Sequence, residues 1–145
     1  MMKRALSDRV QMMGAVDWNR RLFDSLIPLP EGTSYNSYLV KGSEKTALID
    51  TADPSLAHIL MRQLEDVERI DYVISLHTEQ DHSGLIPRLL QMYPGARVVC
   101  STKAKELLMD HLHLDESVLD AMDDGSTLSL GDRSFTFIHT PWVHW

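Results

Sequence analysis

The chain has 145 residues, 43% of them hydrophobic, enough for one domain that buries roughly 70% of its unfolded surface without disulfide staples. Fourteen basic residues against 21 acidic ones give a net charge of -7, and no basic cluster exceeds the pairs Lys3-Arg4 and Arg20-Arg21. A phosphate-tracking surface is therefore excluded, and nucleic acid is not an expected partner.

The N-terminal stretch "MMKRALSDRV" starts basic but develops no apolar signal region, and no window approaches the ~18 apolar residues of a membrane span. No membrane is expected, and a cytoplasmic location fits. "VQMMGAV" (10–16) reads as a strand, followed by a loop to residue 34 punctuated by Pro28, Pro30 and Gly32. "YNSYLV" (35–40) and "TALID" (46–50), separated by the polar "KGSEK", form an expected hairpin with a longer turn. Asp53-Pro54 is a helix start, because Asp can cap free amides while Pro presets the first helical position. Leu56, Ile59, Leu60, Leu64 and Val67 continue that helix at helical spacing to about residue 67. "YVISL" (72–76) is too apolar to alternate, as expected of a strand covered on both faces. Ser83 or Gly84 opens a second helix, with Pro87 in its tolerant first turn. "RVVCS" (97–101) is a further strand, in which the single Cys100 reads as a buried, inert thiol. A third helix follows from Ser101 or Thr102 to about His113, then a loosely helical "DESVLDAM" and two strands around the turn "GDR". Trp18 and Trp142 are expected to pack. No repeat or linker divides the chain, so residues 1–145 are read as one domain.

One stretch carries chemistry. "HTEQDHSG" (77–84) places His77, Glu79, Asp81 and His82 directly after a buried strand. An extended loop would send residues 77, 79 and 81 to one side, with His82 pointing differently, an arrangement suited to two adjacent ions. Without a cation the two carboxylates repel, and burying them costs several kcal/mol each. A solvated loop capping the next helix is the alternative; four ligand-type residues at one strand end favour a metal loop.

The pattern His-x-Glu-x-Asp-His resembles the metal-binding loop of flavodiiron proteins, O2 and NO reductases built on a metallo-β-lactamase-like domain. "VDWNRRLFDSLIPLPEGTSYNSYLV", "TALIDTAD" and "FIHTPWVHW" are similar to further stretches of that family, so the resemblance runs from about residue 10 to the end. It implies an α+β fold, the N-terminal portion of a metallo-β-lactamase-like αββα sandwich. It implies that His77, Glu79 and His144 bind one iron of a diiron centre, that Asp81 and His82 belong to the other, and that Asp50 supports them from behind. His144 is preferred to His139 because it stands in a His-Trp pair. Zinc hydrolases of the same fold carry histidine where Glu79 stands. Imidazoles suit Zn(II), whereas a carboxylate stabilises Fe(III) over Fe(II) and favours a redox site.

The resemblance implies reduction of O2 to water or of NO to N2O, with electrons from an FMN in a flavodoxin-like domain. It also implies a redox donor such as rubredoxin or a flavin reductase, and a head-to-tail homodimer. The sequence stops before the family's bridging aspartate, its last histidine and the FMN domain. The chain is therefore expected to be a fragment, a truncated product or one part of a split assembly, with an incomplete ligand set, no FMN site of its own and an uncovered sheet face. A flavin-free diiron O2-binding module and a zinc hydrolase are the competing readings.

Overall fold

The structure, a computed structural model, describes residues 3–141. Its N-terminal strands are β1 (Arg4–Ser7) and β2 (Val10–Asp17). Two short strands, β3 (Leu22–Phe23) and β4 (Ile27–Pro28), form a hairpin inside the segment expected to be a loop. Three residues, 24–26, connect them; Asp24 and Ser25 both adopt positive φ, and the Leu26 amide donates to the Phe23 carbonyl at 3.0 Å, closing the turn. Strands this short leave no periodic signal. The hairpin is exposed, and so is Trp18, at 68%, which corrects the expectation that it packs.

The expected hairpin is present as β5 (Thr33–Lys41) and β6 (Thr46–Ile49). Asp53 caps a 3-10 turn at Pro54–Leu56, accepting from the Ser55 amide at 2.9 Å, and α1 (Ala57–Gln63) follows. β7 (Tyr72–Ile74) leads to α2 (Gln80–Ser83) and α3 (Ile86–Met92), then β8 (Arg97–Ser101) and α4 (Thr102–Leu112). "DESVLDAM" is not helical beyond a 3-10 turn at Glu116–Val118; Leu119–Met122 is strand β9. The strand wins because Leu119 is buried, Asp120 is gripped by two N–H donors of Arg97, and the segment pairs along β8 from Val98 to Ser101. β10 (Thr127–Ser129) and β11 (Ser134–Thr136) form the last hairpin.

The main sheet has seven strands in the order β1-β2-β5-β6-β7-β8-β9. Pairs from β1 to β6 are antiparallel, and those from β6 to β9 are parallel. Parallel neighbours need crossovers, which the helices supply. Alternation along the central strands divides the core in two. Leu39, Leu48, Val73, Val98 and Cys100 pack with the helical residues Leu60, Ile86, Leu89 and Leu108. Val40, Ala47, Ile74 and Val99 form a second cluster with Leu130, and Phe135 of β11 and Phe137 just beyond it pack against that cluster. "YVISL" is thus covered on both faces at its centre. Cys100 is buried and its thiol is pushed up to about 11 by burial, in keeping with an inert group.

Between the second face and the hairpin lies an open cleft of about 1230 Å³, lined in part by Ile49, Ile74, Met122, Phe135 and Phe137. Leu76 and Ile138 on its wall are 68% and 75% exposed, so the sheet face expected to be bare is only partly covered. Among the described residues no helix is long and apolar enough to cross a membrane.

Gly14 in β2 shows how tightly the sheet is tied to the helices. Its φ is +96°, and the buried Gln63 amide of α1 both accepts from its N–H and donates to its carbonyl, each at 2.9 Å. A Cβ here would stand 2.0 Å from the Tyr35 carbonyl oxygen. Gly14→Ala is expected to destabilise the chain by about 3 kcal/mol in urea unfolding. An unchanged midpoint would show that this close approach is absent.

Candidate metal centre

The four motif residues leave the sheet at the C-terminal end of β7, beside the end of β6. Ligands in sheets with parallel strands commonly bind at that edge. The motif is not the extended loop expected. Glu79 is extended at the helix boundary, and the chain then turns into α2, so Asp81 and His82 lie in a helical turn. The turn closes because the His82 and Ser83 amides both donate to the Glu79 carbonyl at 2.9 Å. The buried Ser83 hydroxyl also donates to the Thr78 carbonyl at 2.8 Å. The helix therefore begins earlier than Ser83 or Gly84, and it brings His82 onto the motif.

Two close pairs result. His77 Nε2 lies 3.3 Å from Glu79 Oε2, and His82 Nε2 lies 3.5 Å from Asp81 Oδ2. The two imidazole rings stand edge to face with centroids 5.2 Å apart. Both nitrogen–oxygen separations exceed a good hydrogen bond. Two donors at about 2.1 Å from a shared ion, 90–109° apart, would be separated by about 3.0–3.4 Å. The donor chemistry of both pairs suits a cation; the His77–Glu79 spacing falls inside that range and the Asp81–His82 spacing, at 3.5 Å, just beyond it. Among the described residues no three His, Cys, Asp or Glu side chains are grouped to hold one ion, so each pair supplies only part of a coordination shell. His144, expected to complete one set, lies outside the described residues. His139 is held elsewhere, its Nε2 3.0 Å from the Met122 carbonyl oxygen and its amide donating to Asp124.

Asp50 organises the pairs. It is 6% exposed and leaves β6 with a φ of +52°, in the left-handed region. One carboxylate oxygen accepts from the Leu76 amide at 2.8 Å, at the strand end that delivers His77; the other is 3.1 Å from His82 Nδ1. A carboxylate bound to Nδ1–H leaves Nε2 as the free lone pair, the tautomer a metal ligand needs. The hydrogen bond to Asp50 raises the His82 pKa above its ordinary value; burial opposes this, and the Asp50, Asp81 and Glu79 charges reinforce it. Thr51 anchors the same residue from its backbone side, its amide and hydroxyl donating to the His82 carbonyl at 2.8 and 2.7 Å. Sequence reasoning reached Asp50 only through family resemblance, read Ser83 only as a helix start, and missed Thr51 and Ser37. Their polar neighbours, Asn36 beside Ser37, Asp50 beside Thr51 and His82 beside Ser83, give no local sign that these hydroxyls are buried on backbone carbonyls.

A family model described as ODP family beta lactamase matches residues 33–145. The chain belongs to the ODP family of β-lactamases. This ODP chain is 38% identical over 146 residues to the nitric oxide reductase of Moorella thermoacetica, covering 97% of itself and 36% of that protein. It matches the solved rubredoxin oxygen:oxidoreductase of Desulfovibrio gigas with a TM-score of 0.92 and 33% identity, over 99% of this chain and 36% of that one. The flavodiiron protein of Giardia intestinalis matches at TM-score 0.89 and 30% identity, over 100% and 36%. The chain therefore spans about a third of the length of these relatives. The resemblance to flavodiiron proteins holds, as does the α+β, metallo-β-lactamase-like fold in its N-terminal portion.

Asp50→Ala strands the Leu76 amide and leaves His82 Nδ1 without its carboxylate. The expected cost is about 2 kcal/mol in chemical unfolding, with loss of the slowly exchanging imidazole proton in NMR spectra. Retention of both would show that Asp50 does not hold the motif.

Proposed function

We propose that this ODP-family chain is the metal-binding portion of a flavodiiron oxidoreductase that reduces O2 to water, NO to N2O, or both. The observation that carries the reading is the carboxylate at position 79, 3.3 Å from His77, where an all-imidazole set would suit zinc. The names of the relatives, a nitric oxide reductase and a rubredoxin oxygen oxidoreductase among them, support the same reaction class.

On this reading His77 and Glu79, with His144, hold one iron, and Asp81 and His82 hold the second. A bound diiron pair would supply the electrons and the Lewis acidity that the diatomic substrate requires. The chain's own residues supply position. Asp50 fixes His82 with Nε2 toward Asp81, Thr51 anchors its main chain, and the Glu79 capping turn sets the two pairs side by side. Glu79 and Asp81 also place two negative charges beside the imidazoles, which favours the more oxidised of two cation states. The open cleft has His77 in its lining but not Glu79, Asp81 or His82, and it gives His77 a route to solvent. The remaining ligands, the FMN in a flavodoxin-like domain, and an electron donor such as rubredoxin or a flavin reductase come from outside these 145 residues. A head-to-tail homodimer is part of the same proposal.

Anaerobic metal titration tests the reading. The isolated chain should bind Fe(II) weakly or at one site, and about two ions only when the downstream ligands are supplied. Tight loading of two ions by the chain alone would contradict the incomplete set. Glu79→His should raise the Zn(II)/Fe(II) affinity ratio about tenfold, as oxygen gives way to imidazole. An unchanged ratio would remove the argument for iron and leave the zinc hydrolase.

A further inference from the structure

Ser37 is a wholly buried serine in the middle of β5, at 0% exposure, between the apolar side chains of the central sheet. Register explains where its hydroxyl goes. Tyr38 pairs with Ile49, so Ser37 stands opposite Asp50, the first residue beyond the end of β6. No main-chain bond to β5 is due at Asp50, because an antiparallel ladder bonds alternate pairs and it is Ile49 that faces β5; a φ of +52° then turns the Asp50 carbonyl off the strand direction. The Asp50 amide donates to the Ile74 carbonyl of β7 at 2.8 Å. Its carbonyl, buried and facing β5, accepts from the Ser37 hydroxyl at 2.8 Å. The hydroxyl supplies the donor for a carbonyl that the left-handed turn has swung away from β7 and toward β5.

That turn carries the Asp50 carboxylate to both the Leu76 amide and His82 Nδ1. An Asp50 in ordinary extended conformation would turn its carbonyl to the β7 side, with its amide, and aim its side chain elsewhere. A buried carbonyl without a donor is unstable, so loss of the hydroxyl favours relaxation of Asp50 out of the left-handed region.

We propose that Ser37 is a positioning residue for the metal centre: by donating to the Asp50 carbonyl it holds the conformation through which Asp50 fixes the His82 tautomer. Its effect on metal binding rests on the diiron reading given above; its effect on His82 does not. The residue touches no metal ligand, and Asp50 lies between it and His82. Outer partners of this kind typically change metal affinity 10–100-fold when removed.

The test uses the full 145-residue chain with 15N-labelled histidine, first without metal and then titrated with Fe(II) under argon. The wild-type chain should show His82 as one tautomer, protonated at Nδ1 and slow to exchange. Ser37→Ala should give a mixture of tautomers or rapid exchange at Nδ1, and should weaken Fe(II) binding at the Asp81–His82 pair about tenfold. Ser37→Thr, which keeps the hydroxyl, should restore both. Gln63→Ala, which removes the clamp on Gly14, should lower stability while leaving the His82 signal unchanged. Should Ser37→Ala fail to fold, Ser37→Cys retains a side chain but only a weak donor, and should show the same loss in smaller measure. An unchanged His82 tautomer in the Ala or Cys variant, or an equal change in Gln63→Ala, would overturn the proposal. Failure of every form to bind Fe(II) would refute the metal reading alone, because the tautomer comparison still decides the role of Ser37.

Discussion

A single buried carboxylate, turned out of its strand, is the constraint on which the centre depends. Asp50 joins three otherwise separate parts of the chain: the end of β6, the end of β7 through the Leu76 amide, and α2 through His82. A left-handed conformation is unfavourable for residues other than glycine, though aspartate tolerates it better than most. It persists because neighbours hold every polar group of Asp50, with the amide on β7, the carbonyl on Ser37 and the carboxylate on two donors. Strain of this kind, fully satisfied by hydrogen bonds, is characteristic of functional sites.

The sheet makes this arrangement affordable. The parallel run β6-β7-β8 is buried on both faces, so its C-terminal edge is rigid, and what leaves that edge is placed with little freedom. Behind it, helical residues from Leu60 to Leu108 form the larger core. In front, the β10–β11 hairpin covers only part of the sheet and leaves the apolar cleft that ends near His77. Protein scaffold and open site thus occupy opposite faces of one sheet, and the donors sit at the edge between them.

Much of this was legible in the chain. Continuous apolar runs such as "YVISL" and "RVVCS" announced strands covered twice, and Asp53-Pro54 announced a helical start. The four donors after β7 were visible as a cluster, because charged residues at the mouth of a buried strand need a compensating partner. Other features were not legible, each for a physical reason. "LDAM" has helix-forming composition, yet burial of Leu119 and pairing with β8 made it a strand. The β3–β4 hairpin rests on two-residue strands below any periodic signal. The motif looked extended because the capping turn at Glu79 depends on the Ser83 hydroxyl reaching back to Thr78. The left-handed Asp50 and its bond to Ser37 are long-range consequences of register, which no local window contains.

The structure brings two imidazole–carboxylate pairs together at this edge, and the central proposal is that they share cations that change valence. Anomalous diffraction from anaerobically grown crystals, soaked with Fe(II) and recorded on both sides of the iron edge, tests it most directly. The account predicts iron signal between His77 and Glu79, between Asp81 and His82, or at both, with Asp50 still bound to His82 Nδ1. Iron bound elsewhere on the chain, or those four side chains turned apart with no signal among them, would contradict it.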